Sequence, residues 1–352
     1  MRRLEPFSEG LDRTTARRYS ASMRTLLIHN PAAGQRDVRR DVQEAAGLLA
    51  SYGWQVTIRQ TSARGDATRL SAQAVRDGYG LAVAVGGDGT LGEVAAGLAG
   101  SECILGVLPV GTGNVWARNL KIPHWTPTSR SALLEAARVL LEGEVYAIDL
   151  GRIGERLFIL HLGIGFDAQV TRTVEPARRE VVRNLRNVGY YAAVLGLAFS
   201  QRGTRMTIAV DGVTIRERAL MVLVSNAQYY AGTYCLAPKA LLDDGLLDVA
   251  VFKGNDAADT LRHAGAILLG RHVGTPKMEA YQARRVEVRA AVPLPVQTDG
   301  EPVEQTPVQV EVQPRALRVI VPRDAADLFC RPPIERVLTQ GGAGGSRQGL
   351  GL

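Results

Sequence analysis

The stretch Leu81-Ala82-Val83-Ala84-Val85-Gly86-Gly87-Asp88-Gly89-Thr90-Leu91-Gly92-Glu93-Val94 passes from an apolar run, through glycines, into the start of a helix. The run predicts a buried strand, the glycines a turn that brings backbone close to another group, and Thr90 onward a helix. With no side chains at Gly86, Gly87 and Gly89, backbone N–H groups can face a ligand, and the open N–H groups of the helix start add partial positive charge. A strand, bare loop and helix in this order suit phosphate. Asp88 adds a condition. A carboxylate inside a phosphate loop repels its own ligand unless a cation lies between them, which points to Mg²⁺, directly or through water. The loop fits neither G-x-G-x-x-G nor G-x-x-x-x-G-K-[ST], so dinucleotide oxidoreductase and P-loop readings gain no support.

One Gly-rich loop also serves as an ordinary turn, so the flanking chain decides. Upstream, a strand over 24–29 runs into Asn30-Pro31-Ala32-Ala33-Gly34, followed by an amphipathic helix over 37–52. A strand over 54–59 then meets Thr61 to Ala67, where Asp66 is placed to cap a helix through Ala74. Downstream, a strand over 103–110 ends in Gly111-Thr112-Gly113-Asn114, with a helix from Val115. Strands alternating with helices imply a parallel sheet whose carboxyl ends share one edge. Four loops therefore converge on the rim where open α/β sheets bind ligands.

Residues 123–129 break the pattern, and a helix over 131–141 leads out of the first domain. From Glu144 the texture changes to short β-like runs at 145–153, 157–163, 206–210, 220–225, 247–252, 285–289 and 317–321, with a hairpin signal at Asp211-Gly212. The fold class expected is α/β, an open parallel sheet followed by a mostly antiparallel β-sandwich with a helical insertion. That insertion, about 175–200, joins Arg178, Arg179, Arg183 and Arg186 to the apolar stretch from Tyr190 to Phe199. It reads either as a contact for an anionic membrane or as a solvated helix end leading into a core-facing helix. The expected division is a mobile basic tail over 1–22, domains over 23–142 and 143–323, and a disordered Gly-rich tail over 324–352.

The net charge of +7 is carried mainly by arginine and fits an anionic partner. Aromatic content of 5% argues against a stacking platform for single-stranded nucleic acid, and no nucleic-acid partner is expected. Cys103, Cys235 and Cys330 are far apart and in no metal-ligand spacing, which indicates a reducing cytosol without a zinc site. No stretch is long enough to span a bilayer and no signal-peptide core precedes the first strand, so a cytoplasmic protein that meets lipid only at the membrane surface is expected. His29, His124, His161, His263 and His272 form no metal spacing and read as structural or exposed. Hydrolase and zinc-protease motifs have no counterpart.

Taken together in order, Asn30 to Gly34, Gly86 to Glu93 and Gly111 to Asn114 resemble the catalytic region of the diacylglycerol kinase and sphingosine kinase family, in its soluble bacterial branch. The Gly-Gly-Asp-Gly-Thr element alone is shared with NAD kinases and phosphofructokinases. The resemblance continues through Asp149, Gly163 to Asp167, Asp243 to Asp248 and Asp299-Gly300-Glu301, from Met23 to about Val321. It implies an ATP- and Mg²⁺-dependent lipid kinase with its site in an interdomain cleft, 23–142 binding ATP and 143–323 the lipid. Asn30, Pro31, Ala32, Ala33, Gly34, Thr61, Gly86 to Glu93 and Gly111 to Asn114 would then surround ATP, with Asp88 in a water and Mg²⁺ network. Glu301 would be the general base, supported by Asp299, and a hairpin turn at Asp299-Gly300 would project it. Asp244, with the carbonyls of Leu241 and Leu246, resembles the family's structural Mg²⁺ site; a polar turn is the other reading there. Asp149 matches an acidic residue near the cleft whose role stays open. Val115 departs from the aspartate that many members carry, so that carboxylate's contact is missing. Diacylglycerol leads the expected acceptors, ahead of sphingosine, ceramide and phosphatidylglycerol. The alternatives are a small-molecule kinase resembling NAD kinase and a noncatalytic nucleotide- or lipid-binding protein; a homodimer is left open.

Overall fold

Strands and helices alternate through the first part of the chain: β1 (Arg24–His29), α1 (Arg39–Ser51), β2 (Gln55–Gln60), α2 (Asp66–Arg76), β3 (Leu81–Gly86), α3 (Asp88–Leu98), β4 (Ile104–Pro109), α4 (Val115–Asn119) and α5 (Ala132–Glu142). The computed structural model describes residues 22–34, 36–124, 131–171, 202–230 and 234–336. The expected N-terminal tail (apart from residue 22), the insertion at 175–200 and the Gly-rich end lie outside these residues. Every residue of β3 and β4 is buried, as a parallel sheet covered on both faces requires. The order β2-β1-β3-β4 is parallel throughout, with His29 opposite both Gln60 and Val85, and Gly86 opposite Pro109. All four carboxyl ends thus reach one rim. β2 is the outer strand, and its outer position accounts for its exposure.

The second part contains β5 (Glu144–Ile153), β6 (Arg156–Phe158), β7 (His161–Gly165), β8 (Thr204–Val210), β9 (Val213–Ser225), β10 (Tyr229–Tyr230), β11 (Tyr234–Cys235), β12 (Leu247–Lys253), α6 (Ala257–Leu268), β13 (Met278–Ala283), β14 (Arg285–Ala290), β15 (Pro295–Thr298), β16 (Glu301–Gln305), β17 (Val308–Val321) and β18 (Glu335–Arg336). Its pairings are antiparallel, in the order β16-β15-β7-β9-β8-β14-β17 with β12 and β13 branching from β9. Asp211 and Gly212 turn between β8 and β9 with φ of 45° and 87°, a hairpin geometry that the Asp-Gly pair favours. The chain is α/β, an N-terminal parallel sheet with helices followed by a mostly antiparallel, sandwich-like part.

β17 serves both parts. Val308 to Glu311 pair with β14, Arg318 and Val319 run parallel to β4, and β5 pairs antiparallel along nearly the whole strand. One core accordingly joins Leu27, Val83, Leu105 and Trp116 to Ile148, Leu317 and Val319. A second lies between the antiparallel layers around Leu162, Val222, Val286 and Val310, and a third holds Leu223, Phe252 and Met278 beneath α6.

Two expectations are corrected. Residues 324–336 are ordered, not part of a disordered tail: a 3-10 turn at Arg323–Leu328 buries Ala325 and Leu328, Phe329 stacks on Tyr146 at 3.8 Å, and β18 pairs with β5. Their apolar groups have a surface to cover. Asp66 does not cap α2; its carboxylate turns back to accept N–H groups of Ser62 and Ala63, and Gly65 occupies the cap position. The sequence reading also missed α6, because its inward stripe includes the polar Thr260 and His263. No helix among the described residues is long and apolar enough to cross a membrane.

Candidate functional site

The three loops of the rim are welded to one another by backbone. Asn30 donates its N–H to the Val85 carbonyl and its Nδ2 to Thr90 Oγ1 at 3.0 Å, while its Oδ1 accepts the Ala32 N–H. Gly34 takes φ of 83° and presses on the end of β4, where a Cβ would lie 2.3 Å from the Val110 carbonyl oxygen. The Gly86 carbonyl accepts both Val110 and Gly111 N–H groups. A Cβ on Gly111 would lie 2.5 Å from Gly87 Cα, so the two glycine loops touch through bare backbone. Thr61 joins the same rim by donating its N–H to the His29 carbonyl. Pro31, Ala32, Gly89 and Thr112 are exposed there, and Ala33 and Gly113 are half-buried.

Not every side chain in these loops faces outward. Thr90 and Leu91 are buried, and Gly92 sits in the first turns of α3 with open space around it. Glu93 is engaged elsewhere: its carboxylate accepts the Gly65 N–H at 2.9 Å and the Ala67 N–H at 3.1 Å, closing the amino end of α2 from the neighbouring helix. Asp88 likewise receives the Trp116 N–H at 3.1 Å and caps α4; burial pushes its carboxyl pKa upward against those backbone donors. Asn114 adopts a left-handed conformation and donates Nδ2 to the Gly111 carbonyl, but its buried Oδ1 has no hydrogen-bond partner among the described residues. An orphaned acceptor beside a bare-backbone cradle fits a site completed by a ligand.

The second part supplies Asp299-Gly300-Glu301, a tight turn between β15 and β16 with φ of 49° at Asp299 and 84° at Gly300. The Asp299 carboxylate accepts N–H groups of Ile159, Leu160 and His161 at 2.8–2.9 Å, which fixes the turn against the start of β7. Burial nevertheless raises its pKa to about 6, and the charge of Asp88 adds to the rise, so the two carboxylates sense each other. Glu301 is paired with two guanidinium groups. Arg64, from the loop before α2, reaches it at 2.6 Å, and Arg156 of β6 approaches from its own side. The Arg64 pair bridges the parallel-sheet part and the antiparallel part, joining Glu301 to the loop that follows β2 on the rim.

Arg64 and Arg156 carried no sequence signal. Gln297 was also missed: buried two residues before Asp299, it donates Nε2 to the Asp167 carboxylate and accepts the Gly300 N–H at 2.7 Å. Its position just ahead of the Asp-Gly turn was the available clue. Asp167 also accepts the Tyr230 hydroxyl, and a Cβ on Gly163 would collide with its carboxylate. The buried His161 ring donates from Nε2 to the Tyr229 carbonyl, so Nδ1 accepts the Ser225 hydroxyl, and burial pulls its pKa down to about 4.

Asp244 and Leu246 lie in a separate turn. Asp244 accepts the Leu246 N–H at 2.9 Å, and Gly245 has φ of 80°. Asp149, fully buried, accepts N–H groups from Gly245 at 2.6 Å and Arg315 at 2.7 Å, so its side chain ties this turn to β17. Burial and the neighbouring Asp243 charge both raise the Asp149 and Asp244 pKa values. Carboxylate oxygens are the donor type that a hard divalent cation takes, and Asp244, crowded by Asp243, is the residue of this turn that could hold Mg²⁺. No group of three or more His, Cys, Asp or Glu side chains among the described residues is arranged around a common metal position.

Residues 24–153 match the diacylglycerol kinase catalytic domain, and residues 161–321 match the YegS C-terminal NAD kinase beta sandwich-like domain. A diacylglycerol kinase of Bacillus subtilis (strain 168) is 29% identical over 306 residues, covering 86% of this chain and 98% of its own. A protein named "Probable lipid kinase YegS-like" from Pseudomonas putida is 32% identical over 300 residues, 84% and 94% of the two chains. A crystal structure of a diacylglycerol kinase from Bacillus anthracis str. Sterne superposes with a TM-score of 0.70 at 26% identity, covering 86% of this chain and 98% of that one. The rim of glycine loops, the Asp-Gly-Glu turn and the match along both parts agree: this chain belongs to the diacylglycerol kinase catalytic domain family, with the YegS-type C-terminal domain.

Proposed function

We propose that this protein transfers the γ-phosphoryl group of ATP to a lipid hydroxyl, with diacylglycerol as the acceptor and phosphatidic acid as the product. The observation that carries the reading is the position of Glu301, on a rigid turn of the antiparallel part and paired across to Arg64 of the glycine-loop part. Phosphoryl transfer asks the protein for positioning, charge neutralisation and a nearby base. Asn30 to Gly34, Thr61, Gly86 to Glu93 and Gly111 to Asn114 form the nucleotide cradle, with exposed loop backbone and Asn114 Oδ1 as its polar contacts. Mg²⁺, held through water at Asp88, would neutralise phosphate charge there; a second, structural Mg²⁺ would be held by Asp244 with the carbonyls of Leu241 and Leu246.

Glu301 takes the proton from the acceptor hydroxyl as that oxygen bonds to the γ-phosphorus; the bond to the bridging oxygen breaks and ADP carries the electron pair away. Asp299 keeps the turn in place through its three backbone hydrogen bonds. Arg64 and Arg156, which hold the Glu301 carboxylate in this structure, are the cations at hand for the transferring group; moving toward it would free the base.

The test is incubation of the protein with γ-labelled ATP, Mg²⁺ and lipid–detergent micelles, with NAD in a parallel reaction, followed by chromatography. Label is expected in phosphatidic acid, with at least a roughly thousandfold loss of turnover in Glu301→Gln and an unchanged circular dichroism spectrum. Label in NADP, or a Glu301→Gln protein that works at near-normal rate, refutes the assignment.

A further inference from the structure

The outer face of α6 carries apolar side chains that the fold does not cover. Inward, Thr260, His263 and Ile267 settle over β12, with the His263 ring against Phe252 at 5.3 Å and its Nε2 on the Lys253 carbonyl. Displaced around the helix lie Leu261 and Leu268, two turns apart on one stripe, with Ala264 and Gly265 between them. The stripe continues into the following turn through Leu269 and Val273. These four are 38%, 66%, 71% and 45% exposed in chain order of Leu261, Leu268, Leu269 and Val273. The other exposed large apolar residues described, Tyr52, Ile58, Val213, Tyr229 and Val292, are scattered along the chain. Scattered ones need no explanation, whereas four within one helix and its turn do.

The charge around this stripe selects its occupant. Residues 256–277 contain Arg262, Arg271 and Lys277 against Asp256, which caps α6, and Asp259, which Arg262 and Lys277 share. Arg271 is exposed beside Leu269 and has no ion pair among the described residues. A second copy docked face to face would set these cations against each other. An anionic bilayer would receive both the leucines and the guanidinium group.

The stripe is also joined to the rim of the candidate site. His272 contacts the Leu236 carbonyl through Nε2 at 3.3 Å, and Leu236 donates its N–H to the Gln228 carbonyl. The β10–β11 hairpin thus anchored holds Tyr229, which exchanges hydrogen bonds with Asn119 of α4, and Tyr230, which meets Asp167. We infer that the exposed stripe of α6 and the turn after it dock on an anionic lipid bilayer, setting the hairpin side of the site against the surface from which the acceptor is drawn. The inference rests on the proposed lipid-kinase reading for its occupant.

The experiment is sedimentation of the full chain with phosphatidylcholine vesicles with and without phosphatidylglycerol, in the absence of ATP, alongside turnover measured separately in detergent micelles. Wild type is expected to sediment with the anionic vesicles. L268E/L269E is expected to bind them at least about tenfold more weakly and to lose turnover on vesicles in proportion, with melting temperature and micellar turnover unchanged. R271Q is expected to weaken binding to the anionic vesicles alone. Wild type that binds no vesicle, a double variant that sediments like wild type, or a wild-type dimer that the variant splits overturns the docking surface. Absence of lipid phosphorylation in micelles instead strikes the kinase reading, and vesicle sedimentation still decides the surface.

Discussion

Glu301 and His161 show how single side chains in this molecule are committed. Glu301 is proposed to accept a proton, yet it rests between two guanidinium groups, so its chemistry depends on where Arg64 and Arg156 go. His161 is committed to neutrality. The unfolded chain's histidine binds a proton near pH 6.5, whereas the buried ring resists it until about pH 4. Between those values the unfolded state holds more protons, so this residue makes stability fall as pH drops through the window, by up to about 3 kcal/mol. Asp299 works in the opposite direction, because a carboxyl raised to about 6 keeps its proton where the unfolded one has lost it, and its contribution shrinks as pH rises from 3.8. The readout is therefore a difference. Melting curves from pH 7 to pH 4 are expected to show wild type losing stability relative to His161→Gln; parallel curves for the two proteins would refute the buried neutral imidazole.

At the scale of elements, the sequence made the parallel sheet and its loops readable because β1, β3 and β4 are short apolar runs that lead into loops opened by asparagine or glycine, with the more polar β2 between helices on the same pattern. Gly86-Gly87-Asp88 and Gly111 to Asn114 could be placed on one rim without coordinates, since parallel topology leaves no other arrangement. Long-range partnerships were not readable. Nothing adjacent to Glu93 in sequence indicates that it closes α2, and nothing near Arg156 indicates Glu301. The segment after β17 misled for a related reason: its few apolar residues were outweighed by the Gly-rich run that follows, although Phe329 finds Tyr146 across the fold. Phe329→Ala is expected to lower stability by about 3 kcal/mol, measured by urea denaturation, because it removes a nearly buried ring from a stacked pair. A change below about 0.5 kcal/mol would show that residues 324–336 only rest on the surface.

For the whole molecule, the decisive feature is that β5 and β17 pass through both parts as one antiparallel pair, with a register shift between Gln313 and Leu317 where Asp149 grips Arg315. Two families of sequence pattern meet in this chain, and the boundary between them suggested two adjoining domains, 23–142 and 143–323. The paired strands make that junction continuous sheet: the ribbon is hydrogen-bonded on both sides of its irregular point, so the two parts are joined by strand pairing and not by free chain. The same ribbon transmits failure: loss of either core strips β17 of a partner and exposes the flank of the other. Calorimetry is expected to record one melting transition for the chain, and two separable transitions would refute this coupling. A fragment ending at residue 142 would leave bare the edge of β4 that Arg318 and Val319 cover, so the parallel-sheet part waits for a strand that the chain supplies only near its far end.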